Sequence, residues 1–304
     1  MLKKTLIYQW IRKLWYRGVK FPLAYHCTQQ FSIMSSMESL QYIIENKCSV
    51  SRFGDGEFDV INGGGNNFQQ PSEKLAVLLK KVLTANDAPN FMVGIPLPIK
   101  SIKGLRNPYA FWPYFTVKNK KFFNKTLSSQ RIYLNTQFSR FYYEHEDKSQ
   151  CAKQLALIKQ IWEKRDIVIV EGTQTRSGIG NDLYDNAQSV SRILGPAENA
   201  FNKYEETLAA IQKYVGKDKL ILLCYGMTAT VLAYDLAKLG YQAIDLGHVD
   251  IEYEWFRMGT VERVAIKGKY TNETADGRSN IDECNDTTYQ RQILVDVTKE
   301  SNDL

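Results

Sequence analysis

The segment Asp166-Ile167-Val168-Ile169-Val170 decides the fold class of this 304-residue chain. Consecutive β-branched residues favour a strand, and a continuous apolar run is typical of a strand that is covered on both faces of a parallel sheet. A helical pattern over residues 150–164 comes before it. Further strand patterns lie at residues 48–53, 90–95, 131–136, 190–194, 220–225 and 242–246, and further helical patterns at residues 36–46, 72–83, 199–215 and 228–239. This alternation predicts βαβ units, and therefore an α/β, Rossmann-like fold with a mostly parallel sheet flanked by helices.

The chain divides into three regions. Residues 36–273 form the predicted Rossmann-like domain, residues 1–35 form a basic amphipathic arm, and residues 274–304 form a polar tail without periodicity. The aromatic segment at residues 109–115 interrupts the alternation of strands and helices, which indicates an insertion or a lid. The composition, with 44% hydrophobic and 24% charged residues, is typical of a globular protein.

The formal charge of +6 is concentrated at the amino-terminal end. Six basic residues precede the first acidic residue, Glu38, and the remaining 33 basic residues equal the 33 acidic ones in number. A nucleic-acid-binding domain usually spreads its basic residues over one face of the domain. The sequence therefore predicts no nucleic-acid partner.

The arm carries five apolar residues at helical spacing, with Lys and Arg on the other flank: Leu6, Ile7, Trp10, Ile11 and Leu14. One interpretation is peripheral contact with an anionic membrane through residues 1–20, and the other is packing on the domain's own core. No apolar run approaches the roughly 18 residues of a membrane span, and none is followed by a cleavage site for secretion. The five cysteines are scattered without C-x-x-C spacing. We therefore expect a cytoplasmic protein, either free or on the inner face of the cell membrane.

The first candidate site is Arg52-Phe53-Gly54-Asp55-Gly56-Glu57, directly after a predicted strand. In an extended segment, two carboxylates two residues apart point to the same side, and we expect this of Asp55 and Glu57. Such a pair suits a hard divalent cation, which in turn neutralises a diphosphate. Arg52 and Gly54 are expected to contact the same ligand, since a glycine lets the backbone approach closely. The alternative is a glycine turn with two solvated acids.

The second candidate site runs from Glu171 to Asp182 and follows the clearest strand. Backbone amides of a glycine-rich turn, hydroxyl groups and an arginine can together hold phosphate oxygens. The donor-binding residues predicted here are Arg176, Ser177, Gly178, Gly180 and Asn181. The segment lacks the Gly-Lys-Ser/Thr ending of a P-loop, so a plain surface loop is the alternative.

Two more motifs follow predicted strands. His248 lies where a parallel sheet collects its ligands, so it is a candidate metal ligand or catalytic base, with packing or capping as the alternative. Thr228 is a candidate donor-binding residue, and the alternative is that it caps the following helix. Glu171 and Asp182 are the other two candidate bases.

Three segments, taken in this order, resemble the bacterial glycosyltransferases of the GT-D fold. They are residues 52–57, 178–186 and 247–255, which read Arg-Phe-Gly-Asp-Gly-Glu, Gly-Ile-Gly-Asn-Asp-Leu-Tyr-Asp-Asn and Gly-His-Val-Asp-Ile-Glu-Tyr-Glu-Trp. Shorter segments also match the family, namely Pro196, Asn199-Ala200-Phe201, Gly268-Lys269-Tyr270 and Asn272-Glu273. The likeness covers the chain from about Ser36 to Glu273 and leaves the arm outside.

The resemblance implies a metal-dependent glycosyltransferase with a Rossmann-like sheet of the GT-D type. The family's Asp-x-Glu motif corresponds to Asp55 and Glu57, which would hold Mn²⁺ or Mg²⁺. The resemblance also implies a UDP-sugar donor, either UDP-glucose or a close relative. The implied acceptor is a sugar of a growing bacterial glycan, on a glycoprotein, a lipid carrier or a surface polysaccharide.

Two other functions stay open at the level of the sequence. One is a non-catalytic glycan- or membrane-binding module. The other is a different nucleotide-dependent Rossmann-like enzyme, although the Gly-x-Gly-x-x-Gly fingerprint is absent after the first strand.

Overall fold

The computed structural model of the chain describes residues 6–279 and 281–299. These residues form one nine-stranded sheet in the order β1-β4-β3-β2-β8-β7-β5-β6-β9, and every pairing between its strands is parallel. The strands are β1 (Ser32–Ile33), β2 (Ser49–Arg52), β3 (Phe91–Ile95), β4 (Ile132–Asn135), β5 (Asp166–Gly172), β6 (Ser189–Gly195), β7 (Leu220–Cys224), β8 (Gln242–Asp245) and β9 (Ile293–Asp296). The predicted α/β fold with a mostly parallel sheet is confirmed.

Helices pack on both faces of this sheet. They are α1 (Leu6–Trp15), α2 (Phe21–Thr28), α3 (Ser36–Asn46), α4 (Asp55–Ile61), α5 (Glu73–Thr84), α6 (Trp112–Thr126), α7 (Cys151–Gln160), α8 (Tyr204–Tyr214), α9 (Gly226–Lys238), α10 (Val249–Met258) and α11 (Thr287–Gln292). Val168 and Val170 of β5 lie in one apolar cluster, whereas Ile167 and Ile169 lie in the other. Because each face of β5 has its own core, the strand is apolar at successive positions rather than at alternate ones.

Helix α3 has the bounds that the sequence predicts, and a local signal explains the agreement. The Ser35 hydroxyl accepts a hydrogen bond from the Glu38 N–H at 3.2 Å, and the Glu38 carboxylate accepts one from the Ser35 N–H at 2.8 Å. This reciprocal capping box satisfies two backbone donors that the helix itself leaves free. The start of the helix is therefore fixed by residues three positions apart.

The segment after β2 differs from the prediction of an extended motif. Helix α4 begins at Asp55, so Asp55 and Glu57 both lie in its first turn. Gly54 is extended at the N-cap position, and its N–H donates to the Glu57 carboxylate at 2.7 Å. Acidic residues are favoured in a first helical turn because they face the positive end of the helix dipole. The expectation that the two carboxylates point to one side of an extended segment is therefore wrong, because residues two apart in a helix do not face each other.

The segment at residues 109–115 and the polar tail also contain structure that the sequence did not predict. The aromatic segment leads into α6, a helix of 15 residues. Within residues 274–304, strand β9 pairs with β6, with Ile293 opposite Arg192. The sheet therefore extends beyond the predicted domain boundary at residue 273. Neither element has strong local periodicity, and both depend on partners elsewhere in the chain.

The amino-terminal arm contains two α-helices with different environments, which are joined by a π-helix (Tyr16–Lys20) and followed by β1. Phe21, Ala24 and Thr28 of α2 are buried, and the Thr28 hydroxyl donates to the Ile99 carbonyl at 2.7 Å. By contrast, the side chains of α1 from Trp10 onward are exposed, while those of Leu6 and Ile7 lie outside the described part of the structure. No helix within the described residues is long and apolar enough to cross a membrane.

Candidate active site

A cavity of about 580 Å³ lies at the carboxyl ends of β2 and β8, and we call it the main cavity. Its walls come from the start of α4, from the turns after β4 and β8, from residues 106–112, and from residues 263, 272 and 273. Parallel sheets bind their ligands at this edge, because loops and helix N-termini converge there. The fold therefore places the first and third sequence motifs on one cavity.

Three carboxylates form the acidic wall of the main cavity: Asp55, Glu57 and Asp245. Burial, and then the charge of Asp245, raise the pKa of Glu57 to about 7. Burial also raises the pKa of Asp55, and it raises that of Asp245 to about 6 despite the nearby Arg52. Within the described residues, neither Asp55 nor Glu57 has a salt bridge. This wall would be stabilised by a bound cation.

Arginines face the same cavity and are fixed by ion pairs. Arg52 lies 3.6 Å from Asp245 and donates from Nε to the Thr136 carbonyl at 2.9 Å. Gly247 has φ +54°, and a Cβ there would come within 2.2 Å of the Arg52 guanidinium. Glycine suits this position because it adopts a positive φ without strain and because the absence of a Cβ leaves room for the Arg52 guanidinium.

A second arginine group is built around Glu273. The Glu273 carboxylate pairs with Arg140 at 2.6 Å and with Arg263 at 2.8 Å. Burial alone would raise its pKa, but Arg140, His248 and Arg263 outweigh burial and hold it at about 2. Glu273 is therefore ionised at neutral pH, and it orients two guanidinium groups on the wall of the cavity.

A smaller pocket of about 80 Å³, the side pocket, adjoins the main cavity at the ends of β5 and β7. The two share Phe68, Gly226, Met227, His248 and Asn272 among their lining residues. The Asn272 side-chain oxygen is buried without a hydrogen-bond partner at this junction. A buried acceptor without a partner costs free energy, so a ligand that donates a hydrogen bond to it would be favoured here.

The model of the family described as "Glycosyltransferase GT-D fold" matches residues 50–274. The chain belongs to this family. It is also 38% identical to glycosyltransferase GlyD of Streptococcus pneumoniae serotype 4 over 262 residues, and 35% identical to the probable glycosyl transferase Gly of Streptococcus gordonii over 282 residues. These alignments cover 85% and 92% of this chain, but the chain spans only 31% and 41% of the length of these relatives.

Solved structures agree with the family. A structure of domain of unknown function 1792, described as having a distinct glycosyltransferase fold, matches 91% of this chain with a TM-score of 0.85 and 35% identity, and 99% of that structure is covered. A glycosyltransferase of the same domain type from Streptococcus sanguinis matches 88% of this chain with a TM-score of 0.82 and 34% identity, again with 99% of that structure covered. The family and these structures favour a glycosyltransferase over the alternatives of a non-catalytic module or another class of nucleotide-dependent enzyme.

The site residues predicted from the sequence fall into three groups: those that line the main cavity, those that line the side pocket and those that line neither. Those lining the main cavity are Arg52, Gly54, Asp55, Glu57 and His248, and those lining the side pocket are Ser177 and His248. Those lining neither are Glu171, Arg176, Gly178, Gly180, Asn181, Asp182 and Thr228. The structure thus places the first and third motifs on the main cavity, whereas most of the second motif lines neither cavity.

Internal contacts explain why most of the second motif lies outside both cavities. Glu171 is fully buried in an ion pair with Arg192 at 2.5 Å. Arg176 donates from its two terminal guanidinium nitrogens to the carbonyls of Gly268 and Asp282 at 2.8 and 2.5 Å. These groups hold loops together, so their placement supports neither a phosphate cradle at Arg176 nor a base at Glu171.

The remaining members of the motif have similar internal partners. Asn181 donates to Asp250 and Glu254 at 2.8 and 2.6 Å. Asp182 accepts a hydrogen bond from the Tyr253 hydroxyl at 2.5 Å and has a 57% exposed side chain. Of the three candidate bases, only His248 faces the cavities, and burial lowers its pKa to about 4. Its imidazole is therefore neutral at pH 7 and can accept a proton or bind a metal.

Asp245, Arg140, Asn272 and Glu273 are cavity residues that sequence reasoning did not single out as site residues. Asp245 is the last residue of β8, so the rule that ligands collect at the carboxyl ends of parallel strands could have identified it. Arg140 stands in an aromatic segment, and nothing in that segment indicates that its partner is Glu273. Such a pairing is visible only in the tertiary structure.

The residues of the acidic wall can be tested for their fit to Mn²⁺ or Mg²⁺. Within the described residues, no group of three or more His, Cys, Asp and Glu side chains could by itself hold a metal ion. Hard cations of this size are commonly held by one or two carboxylates, while substrate phosphates and water complete the coordination. Asp55 and Glu57 supply oxygen ligands that form no salt bridge with any described residue, so the donor set fits such a cation.

Proposed function

We propose that this glycosyltransferase transfers a hexose, with glucose as the first candidate, from a UDP-sugar to a sugar of a bacterial glycan with the help of Mn²⁺ or Mg²⁺. The observation that carries the proposal is the charge pattern of the main cavity. Within the described residues, Asp55 and Glu57 are two carboxylates without ion pairs, and they line a space that Arg52 and Arg140 also line. A diphosphate bridged by a divalent cation matches this pattern, since it offers positive charge to the acids and negative oxygens to the arginines.

The protein groups have separate tasks in this mechanism. When the bond between the anomeric carbon and the diphosphate breaks, negative charge grows on the leaving group, and a divalent cation at Asp55 and Glu57 would neutralise part of it. Arg52 is held by Asp245 and Arg140 by Glu273, so both face the cavity without reorganisation during the reaction. His248 is neutral and lines the cavity, so it is the best placed of the three candidate bases to accept a proton from the acceptor hydroxyl.

The decisive experiment measures release of UDP from a panel of UDP-sugars in Mn²⁺, in Mg²⁺ and in EDTA. We expect one donor to be hydrolysed only with metal, and we expect the Asp55→Asn/Glu57→Gln variant to be slower by ~100-fold or more, as for loss of a group that stabilises transition-state charge. The control is Asp59→Asn, which changes an acid on the same helix that pairs with Lys118 at the surface. Calorimetry of UDP binding is run in parallel. If UDP does not bind with metal present, the proposed donor class is wrong.

The acceptor and the location are part of the same proposal. We infer a glycan acceptor on a glycoprotein, a lipid carrier or a polysaccharide, and a cytoplasmic location with peripheral contact of residues 1–20 on the inner face of the membrane. The support is the basic arm, which has six basic residues before its first acid. An acceptor screen that compares soluble with lipid-linked glycans would distinguish the carriers.

A further inference from the structure

Helix α1 presents large apolar side chains to solvent. Trp10 is 64% exposed, Ile11 54%, Leu14 50% and Trp15 52%. A helix that packed on the domain's own core would bury such residues, so this surface is unpartnered within the described part of the chain.

The rest of the arm fixes α1 to the domain. In α2, the Tyr25 hydroxyl donates to the Pro98 carbonyl at 2.8 Å, and the Thr28 hydroxyl donates to the Ile99 carbonyl at 2.7 Å. Phe21 at the start of α2 is only 4% exposed. Because α2 is anchored through these contacts, the exposed residues of α1 are held beside one part of the domain surface.

The charge of the arm indicates what could cover the exposed side chains. Arg12, Lys13, Arg17 and Lys20 lie in or directly after α1, and no acidic residue precedes Glu38. Tryptophan and aliphatic side chains next to basic ones suit the interface of a bilayer that contains anionic lipids. A surface that binds another protein does not usually carry charge of one sign over so long a segment.

The arm also contacts the wall of the main cavity. The Phe21 and Tyr16 rings lie 4.9 and 5.2 Å from the ring of Tyr114, and the Arg17 guanidinium lies 4.5 Å from the ring of Tyr109. Tyr109 and Tyr114 belong to a stretch that we call the rim segment, residues 106–114. Other residues of this segment, including Phe111 and Trp112, line the main cavity.

The rim segment is itself apolar and exposed. Tyr109 is 45% exposed, Phe111 44% and Tyr114 39%. A bilayer that receives α1 therefore meets further aromatic side chains next to it, and these are suited to the headgroup region. The exposed aromatic residues extend in this way from the arm to the entrance of the main cavity.

We infer that α1 and the rim segment form one lipid-binding surface, which seats the protein on an anionic bilayer and places the entrance of the main cavity beside the lipid. This deepens the proposed peripheral contact, which concerned residues 1–20 alone, and it rests on the proposed function only where it calls the cavity the transfer site. The consequence is that the enzyme meets its acceptor at the membrane surface.

The first test is flotation of the full chain with vesicles of phosphatidylcholine, with and without phosphatidylglycerol. We expect the wild type to float only with the anionic vesicles, and we expect Trp10→Ser/Trp15→Ser to bind them at least tenfold more weakly. The matched control is Val77→Ser, which removes a 69% exposed apolar residue of α5. Equal binding by the wild type and the double variant would overturn the inference, and so would a wild type that stays unbound, the result expected if α1 serves a protein partner instead.

The second test asks whether the rim segment reaches the lipid. The chain has five tryptophans, and Trp162 and Trp255 are fully buried. Trp10→Phe/Trp15→Phe therefore leaves Trp112 as the tryptophan nearest the proposed surface. We expect brominated lipids in anionic vesicles to quench the fluorescence of this variant, and adding Trp112→Phe to abolish the quenching. If the same variant floats with the vesicles but shows no quenching, the rim segment is not part of the lipid-binding surface.

The tests of the lipid-binding surface and the test of the proposed function can fail independently of each other. Flotation and quenching need no donor, so they can succeed even if no UDP-sugar is hydrolysed, in which case only the donor assignment fails. Conversely, Trp10→Ser/Trp15→Ser should keep the wild-type rate of UDP release in solution, because neither residue lines the main cavity.

Discussion

The segments that begin at the carboxyl ends of β2 and β5 look alike in sequence but differ in the structure. Each begins at the end of a buried parallel strand, and each combines glycines with acids and an arginine. In the first segment, Asp55 and Glu57 line the main cavity without ion pairs to any described residue. In the second, Glu171 is paired with Arg192, and Arg176 is bound to two carbonyl oxygens.

The difference shows that composition does not separate a ligand-binding loop from a structural one. What separates them is whether the polar groups already have partners inside the protein. A charged group that already has such partners stabilises the fold, whereas one that faces a cavity without them is available to a ligand. The two loops should therefore respond to mutation in opposite ways.

The largest expected effect on stability is at the ion pair between Glu171 of β5 and Arg192 of β6. Arg192→Met leaves the fully buried Glu171 carboxylate without its partner, so we expect the free energy of unfolding to fall by about 3–5 kcal/mol. Asp55→Asn should leave it unchanged or raise it, because the change removes one of several mutually repelling acids. Urea denaturation of both variants measures the contrast. The double variant Glu171→Gln/Arg192→Met is the control and should recover part of the loss. Similar small effects at both sites would contradict the distinction between the loops.

A smaller contrast lies between two glycines of the loop after β5. Gly178 and Gly180 both have φ +77°, so alanine at either should cost about 1–2 kcal/mol of backbone strain. At Gly178 a Cβ would also lie 2.4 Å from the Tyr184 ring, whereas at Gly180 nothing lies within 4 Å. We therefore expect Gly178→Ala to lower the melting temperature more than Gly180→Ala. Equal shifts would mean that the loop adjusts freely and is not the packed element described above.

The smallest expected effect at pH 7 concerns His248, on the side of the main cavity, because its contribution to stability changes only at lower pH. Its usual pKa is 6.5, and burial lowers the pKa in the folded protein to about 4. Between these values the unfolded chain takes up a proton that the folded protein does not, so stability should fall as the pH drops from about 6.5 to about 4. In His248→Asn this part of the pH dependence should be missing. Urea denaturation at a series of pH values tests it, and identical slopes for variant and wild type would rule out a buried neutral imidazole.

Local signals explain where the sequence predictions agree with the structure. The apolar run at Ile167–Val170 identified β5 because a doubly covered strand must be apolar at successive positions. The helical pattern over residues 36–46 predicted α3 with its observed bounds, and the capping box of Ser35 and Glu38 is the local interaction that fixes its start. The first motif was identified because it follows a strand, and the acids then point to the sheet edge whether they start a helix or extend a strand.

The predictions that differ from the structure concern groups that depend on distant partners. Helix α6 is rich in aromatic residues with modest helix propensity, and it is stabilised in part by packing against α2. Strand β9 exists because β6 offers it an edge. The roles of Glu171 and Asp182 were predicted from their position after a strand, but Arg192 and Tyr253 hold them within the protein.

The sequence by itself determined the parallel α/β class, the order of most strands and helices, and the family. Each of these depends on short-range periodicity or on the order of motifs along the chain. The tertiary structure alone decided which charged groups are free to meet a ligand. Glu171 and Arg192 are 21 residues apart, and Arg140 and Glu273 are separated by more than a hundred. Whether such groups pair depends on which strands are neighbours and on how deeply each group is buried, and neither quantity is a local property of the chain.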